Sequence, residues 1–239
     1  MNQPRVLGVI PARGGSKRLP RKNILKVGGH PLIAHTIMAA AAATSLTDWL
    51  VTSDDDEIID VSKRYGAPVP FKRPPELGGD KVRNIDTMIH ALDYMERATG
   101  AIYDMVVLLQ PTSPIRDPAH IDQAVDLLWS SGLPTLASVK GPYKKRDPNL
   151  KRIGSDGVLE DYCGTKVGPD WDSFYIYNAA IYAIRRDYLL NERSFVSPRQ
   201  VPLVMDELHS VDVDEELDLI FVEACFDYLR RKGLRNYDD

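Results

Sequence analysis

Three short stretches carry residue types suited to handling charge and phosphate. Residues 11–23 read PARGGSKRLPRKN and crowd five cations, Arg13, Lys17, Arg18, Arg21 and Lys22, around the adjacent Gly14 and Gly15. Glycines let backbone N–H groups turn toward one point without side-chain obstruction, and Arg13, Lys17 and Lys22 can supply charge to a polyphosphate there. A glycine turn with solvated cations accounts for the same composition. The spacing is neither GxxxxGK[ST] nor GxGxxG, so neither a P-loop nor a dinucleotide fingerprint is supported.

The second stretch, QPTSPIR at 110–116, follows the most apolar run of the chain, MVVLL. Two prolines fix φ and remove donors, while Gln110, Thr112 and Ser113 offer neutral groups suited to sugar hydroxyls or an amide. A rigid turn into the next helix is the plainer alternative. The third stretch is SVDVDE at 210–215. Asp212 and Asp214 are two residues apart, so in an extended chain both carboxylates face one side, where they can hold a hard divalent cation. Capping of a helix that begins near Glu215 competes with this, and explains one aspartate more easily than two.

The elements that must position these stretches alternate along the chain. Strands are expected at 6–10, 49–53, 105–109, 136–139, 175–184 and 201–204, and helices at 31–43, 57–65 and 85–98. Another helix is expected from Asp117 and Pro118, with Ile121, Ala124, Val125 and Leu128 as its core stripe. In the final helix Leu217, Ile220, Phe221, Ala224, Cys225 and Tyr228 are the expected buried stripe. Such alternation predicts an α/β fold: three layers, a largely parallel sheet covered by helices on both faces, with ligands beyond the carboxyl ends of the strands. All three stretches follow expected strand ends or lead into a helix. Residues 140–172 break the pattern with glycine, proline and charge, and read as an excursion or small subdomain within one domain spanning 1–239.

Composition narrows the function classes. The chain has 239 residues, 44% of them hydrophobic, which suffices for a sizeable core. With 30 basic against 34 acidic residues the net charge is -4, which argues against general adhesion to nucleic acid or an anionic membrane. No apolar run approaches the roughly 20 residues of a membrane span, and the N-terminus lacks the apolar core of a signal peptide. Cys163 and Cys225 have no metal-type spacing and make no disulfide framework. A soluble, cytoplasmic protein is expected.

Five motifs in order carry a resemblance: PARGGSKRLPRKN, RPPEL at 73–77, LLQPTSPIR at 108–116, YNAAIY at 177–182 and SVDVDEELD at 210–218. The chain resembles the acylneuraminate cytidylyltransferases, the CMP-sialic acid synthetases, over nearly its whole length. CMP-Kdo synthetases carry ARYGSTRLPGK at the opening loop, so ARGGSK favours nine-carbon over eight-carbon acids. The resemblance implies a nucleotide-diphospho-sugar transferase fold, Rossmann-like, in which the anomeric hydroxyl of a 3-deoxy-2-keto sugar acid attacks the α-phosphate of CTP.

By position in the family motifs, Arg13 and Lys22 would hold the triphosphate, with Ala12, Gly14, Gly15, Ser16 and Lys17 around it. Asn23 and Asn84 would approach the ribose, while Arg73 and the backbone at Val82 would read the cytosine. Gln110, Thr112, Ser113, Lys151, Tyr177 and Asn178 would contact the sugar acid, and Asp212 and Asp214 would bind Mg2+. Two departures stand out. KVRN at 81–84 replaces the family's small residues and serines, and Ala179 stands where the frequent NGAIY has glycine. A homodimer is expected, with the excursion 140–172 crossing to the twin and setting sugar identity.

Overall fold

The computed structural model describes residues 3–79, 82–144, 151–153, 159–161 and 173–234, the last two residues of the 140–144 strand and residues 151–174 by their backbone alone. In chain order the strands and helices are β1 (Val6–Pro11), β2 (Lys26–Val27), β3 (His30–Pro31), α1 (Leu32–Ala42), β4 (Asp48–Thr52), α2 (Asp56–Arg64), α3 (Asn84–Thr99), β5 (Met105–Leu109) and α4 (Pro118–Ser131). They continue with β6 (Thr135–Lys144), β7 (Lys151–Ile153), β8 (Leu159–Asp161), β9 (Ser173–Arg185), α5 (Arg186–Glu192), β10 (Val201–Met205) and α6 (Glu216–Arg231).

The central sheet is ordered β10-β6-β9-β5-β1-β4. Strand β1 pairs in parallel with both β4 and β5, and β10 with β6, whereas β9 runs antiparallel to β5 and β6. The sheet is therefore parallel except for one strand. Its two faces follow the period of two: Val6 and Ile10 of β1 and Met105, Val107 and Leu109 of β5 meet α1, α2 and α4. Leu7, Val9, Val106 and Leu108 point the other way, into α3 and α5. Burial on both sides explains why β1 and β5 are continuous apolar runs. The chain leaves β1 for β4 on one side and returns to β5 on the other, so the order reverses at β1, and a crevice opens beyond its carboxyl end.

Local signals explain the helix starts. Asp55 caps α2, accepting from the Ile58 N–H at 3.0 Å, with Asp56 and Glu57 in the first turn. At α4, Asp117 is the N-cap and Pro118 the first residue. Strands β6 and β9 are longer than their patterns predict, because each pairs along the other into the 140–144 segment.

The expected stripe of α6 is corrected. Val222, Cys225, Phe226 and Leu229 are buried, against Val27, Leu32, Ile115 and Val213, while Leu217, Ile220, Phe221 and Tyr228 are half or more exposed and Ala224 is exposed. The helix carries two apolar stripes, and the tighter seat decides between them. Gly28, at φ 59, leaves room for the Phe226 ring, which a Cβ there would meet at 2.6 Å. The ring also stacks on His35 at 4.5 Å.

Of the excursion, β7 and β8 form an antiparallel pair. The remainder of 145–172, with Cys163, lies outside the described residues, as does the side chain of Lys151.

Candidate active site

Beyond the carboxyl ends of β1 and β5 lies a cleft of about 630 Å³. Of the residues singled out in the sequence it gathers Arg13, Ser16, Lys17, Lys22, Asn23, Arg73, Val82, Asn84, Gln110, Thr112, Asp212 and Asp214. They come from the loop after β1, the segment before and at the start of α3, the turn after β5 and the segment before α6.

The basic loop is held down from within. Asn23 is buried and its Nδ2 donates to the Arg13 carbonyl at 3.1 Å. Arg21, at φ 59, turns out of the cleft and pairs with Asp55 at 2.8 Å. Gly14 is tied to that contact, since a Cβ there would lie 2.5 Å from Asp55 Oδ2. Lys22 turns inward instead: its Nζ donates to the Val213 carbonyl at 2.7 Å and to Asp214 Oδ1 at 3.0 Å. Arg18 reaches Asp214 Oδ2 at 2.8 Å from the mouth of the cleft.

The turn after β5 is built around a fully buried arginine. Arg116 donates to the Ala180 carbonyl at 2.6 Å and to Thr36 Oγ1 at 2.8 Å, with two longer bonds to the Gln110 carbonyl at 3.4 Å. These bonds fix the backbone that presents Gln110 and Thr112. On β9 a bulge opposite Ser138 sets Ala179 at φ 59 and turns it into the cleft.

Segment 206–215 is fastened by the Val213 N–H to the Thr112 carbonyl at 2.8 Å and by Asn178 Nδ2 to Ser210 Oγ at 2.8 Å. Capping is accounted for without Asp212 or Asp214. Glu215 is the N-cap of α6, and Asp218 Oδ2 accepts from the N–H groups of Asp214 and Glu215, both at 2.8 Å. The two aspartates are left for other work.

Their environments differ. Asp212 is open to the water of the cleft, but the protein walls around it push its pKa up, the Thr112 hydrogen bond opposes this, and the charge of Asp214 adds to it. Being open, it is shifted by less than full burial would give. Asp214 is held below the usual carboxylate range: desolvation pushes up, but the hydrogen bond and charge of Lys22, then those of Arg18, outweigh it. Among the described residues no cluster of three or more His, Cys, Asp or Glu is placed to hold a metal. Mg2+ asks for less, one or two carboxylates with phosphate oxygens and water completing its shell. A water-facing Asp212 with no cation in hydrogen-bond contact among the described residues, beside Asp214, fits that donor set.

Arg73 is buried in the cleft wall, with NH2 bonded to the carbonyls of Ala12 and Thr52, the latter at 2.7 Å, and NH1 to that of Leu77 at 3.4 Å. Burial lowers its pKa, the charge of Asp54 opposing. It thus braces the ends of β1 and β4 from one side of the crevice.

Six of the singled-out residues do not line the cleft. Ala12 is buried under it, and Gly14 and Gly15 face elsewhere. Ser113 is buried, its hydroxyl without a hydrogen-bond partner among the described residues. Asn178 lies behind the wall as a brace, and Tyr177 points into a separate groove with Tyr175, Val139 and Pro202, its hydroxyl bonded to Gln200 at 2.9 Å. Conversely, Arg18, Thr87 and Ala179 line the cleft without having been singled out as site residues. Thr87 had a readable signal, three residues after Asn84 on one face of α3.

Comparisons with known proteins agree with this geometry. Residues 7–220 match the family model described as Cytidylyltransferase. The chain is 35% identical over 227 residues to the CMP-N,N'-diacetyllegionaminic acid synthase of Legionella pneumophila, covering 93% of this chain and 97% of that protein. It is 30% identical to the N-acylneuraminate cytidylyltransferase of Escherichia coli, where 90% of this chain spans 50% of that longer protein. Among solved structures, a CMP:2-keto-3-deoxy-manno-octonic acid synthetase complexed with CTP superposes with a TM-score of 0.70 over 94% of this chain and 99% of that one, at 18% identity, which speaks to the fold alone. On the family match and the full-length likeness to the Legionella protein, the chain belongs to the cytidylyltransferase family and is a nucleotidyltransferase enzyme.

Proposed function

We propose that the enzyme activates a nine-carbon 3-deoxy-2-keto sugar acid, a sialic acid or related nonulosonic acid, with CTP to give a CMP-sugar and pyrophosphate. The observation that carries this is the cleft's polarity: Arg13, Lys17, Arg18 and Lys22 from one loop face Asp212 and Asp214, with the neutral Gln110 and Thr112 beside them. That is a cradle for a polyanion next to a cation site and a sugar surface.

In this reading the anomeric hydroxyl of the sugar acid gives up its proton to water in the cleft and its oxygen forms a bond to the α-phosphorus, while the bond from that phosphorus to the oxygen bridging the β-phosphate breaks. Pyrophosphate leaves with the bonding electrons. Catalysis of such a transfer is mostly positioning and charge neutralisation. Arg13 and Lys22, with Lys17 and Arg18, offset the charge that builds on the departing pyrophosphate. Asn84 and Asn23 lie on the ribose side, and Arg73 with the Val82 backbone forms the base side. Gln110 and Thr112 orient the sugar. Asp212 and Asp214 would hold Mg2+, which supplies charge neutralisation at phosphate oxygens when bound.

The names of the relatives supply two acceptors for this reading, N,N'-diacetyllegionaminic acid and an N-acylneuraminic acid. The enzyme works as a homodimer in this reading. Tyr175, Ile176 and Tyr177 on β9 and Val204 on β10 are 45–51% exposed, a large apolar area for a free surface. No helix among the described residues is long and apolar enough to cross a membrane. The test is pyrophosphate release with CTP and Mg2+ against a panel of eight- and nine-carbon 2-keto acids. Turnover with nine-carbon acids and not with the eight-carbon acid is expected; the reverse overturns the acceptor assignment, and equal use of UTP overturns the nucleotide.

A further inference from the structure

Away from the cleft, a histidine that the proposed chemistry does not use joins two elements. His209 Nδ1 lies 2.8 Å from Asp206 Oδ1, and its Nε2 lies 3.1 Å from Asp117 Oδ2, at the N-terminus of α4. A neutral imidazole has one N–H and one lone pair, so it can satisfy only one of two carboxylates, and its bare nitrogen would repel the other. With acceptors on both nitrogens the ring is an imidazolium. The side chain is 19% exposed, against 42% and 65% for its two partners, so the charge sits under a partial cover.

The neighbours support that assignment. Asp206 Oδ1 also accepts the His209 backbone N–H at 2.9 Å, so the same carboxylate shapes the turn and holds the ring. On the α4 side stand Asp117, His120 and, just before the helix, Arg116. The His120 ring meets that of His209 edge-on at 4.9 Å, and its Nδ1 accepts the Asp117 backbone N–H at 3.1 Å, which requires that nitrogen to be unprotonated. One histidine is charged and the other neutral, a division two adjacent rings favour. The hydrogen bond that His209 donates to Asp117, opposed by desolvation and reinforced by Asp206, raises the His209 pKa, while burial and then the charge of His209 lower that of His120.

What His209 fastens is the segment that delivers the carboxylates. Segment 206–214 is held by Lys22 and Arg18 at Val213 and Asp214, by Val213 to Thr112, by Ser210 to Asn178, and by His209 to Asp117. Of these only the last involves a group that titrates near neutral pH. We propose that His209 is a positioning residue for the cation site, an imidazolium lock that pins residues 206–214 to the N-terminus of α4 and thereby sets where Asp212 stands in the cleft. The proposal rests on the reading of Asp212 as a cation ligand.

The sign follows from the raised pKa. The lock is complete below the unfolded histidine value and is lost as pH rises through the higher folded value. Cation affinity therefore weakens on the alkaline side, by about tenfold if the lock behaves as outer-shell supports of metal ligands do.

Two readouts test it. The ring resonances of His209 are followed by NMR against pH in the ligand-free protein, and Mn2+ binding is followed by EPR with and without CTP at each pH. The variants are His209→Gln, which removes the charge, and Asp117→Asn, which keeps a good N-cap but removes one carboxylate. Expected are a His209 midpoint above 6.5, a lower midpoint in Asp117→Asn, and Mn2+ affinity that drops with His209 deprotonation in the parent and is low and flat with pH in His209→Gln. A midpoint at or below 6.5, or Mn2+ affinity unaltered in His209→Gln, overturns the lock. Because neither readout needs turnover, an enzyme that fails every sugar acid yet shows the coupled Mn2+ behaviour would sink the acceptor assignment and leave the lock standing.

Discussion

Lys22 Nζ stands 3.0 Å from Asp214 Oδ1, so the cation best placed to meet a phosphate is already neutralised by a carboxylate of the proposed metal site. On the proposed function, bound nucleotide would give the lysine phosphate oxygens and free Asp214 toward the cation. Replacing Lys22 by Met should therefore lower turnover by about 10²–10³-fold in a pyrophosphate-release assay. The fold should barely notice: Asp214 is 41% exposed and keeps Arg18, so the pair contributes about 0–1 kcal/mol. That contribution is present above the unfolded carboxylate pKa and lost as pH falls through the lowered folded value, so parent and variant melting temperatures should converge in acid.

Asp212→Asn and Asp214→Asn should each abolish most turnover and weaken the Mg2+ dependence, with melting temperature little changed. The contrast is Asp218→Ala. Its carboxylate, not theirs, takes the two N–H groups at the start of α6, so this variant should lose about 1 kcal/mol of stability. Thermal melts beside Mg2+ titrations separate the two cases; normal activity in both cleft variants would remove the metal assignment.

Arg73 grips three carbonyls with a planar fork, a geometry a lysine cannot copy. Arg73→Lys leaves the buried carbonyl of Ala12 short of a donor, at about 1–3 kcal/mol, while that of Thr52 keeps the Ala12 N–H at 3.0 Å. Urea unfolding should show a destabilisation of that order, and nucleotide affinity should fall with it even at temperatures where the variant is fully folded.

Ala179 occupies left-handed backbone at φ 59, where a Cβ costs roughly 1–2 kcal/mol. Glycine there removes that cost but loosens the unfolded chain by about 0.4–1 kcal/mol, so Ala179→Gly should be neutral to mildly stabilising in chemical denaturation. Ala179→Val should destabilise, since a β-branched residue tolerates this region worst. A stabilising valine would mean the bulge is not held as seen.

Much of this was readable beforehand, for physical reasons. Strand β5 falls on the residues its apolar run predicts, because a strand buried on both faces has no choice of pattern. The ends of α4 follow from Asp117, Pro118 and Gly132. Burial of α6 was not readable: two stripes compete on it, and the choice depends on a hole above Gly28, some two hundred residues away. Nor was the division of labour in the basic loop. Spacing alone cannot tell that Arg21 turns to Asp55 while Lys22 turns to Asp214, since the left-handed backbone at Arg21 parts them. The roles of Arg73 and Arg116 as braces likewise depend on carbonyls from distant strands.

Lys22 and Asp214 are separated by 192 positions, and the segment between them closes on itself only when α6 has docked beside β2. Closing so long a loop is entropically costly and comes with the non-local contacts that fold slowly. The cleft is therefore expected among the last features to form, and a ligand that spans the basic loop and the aspartates would clasp both ends of the chain at once. Nucleotide should accordingly slow global unfolding and not merely quiet a loop, so that resistance to proteolysis becomes a measure of occupancy.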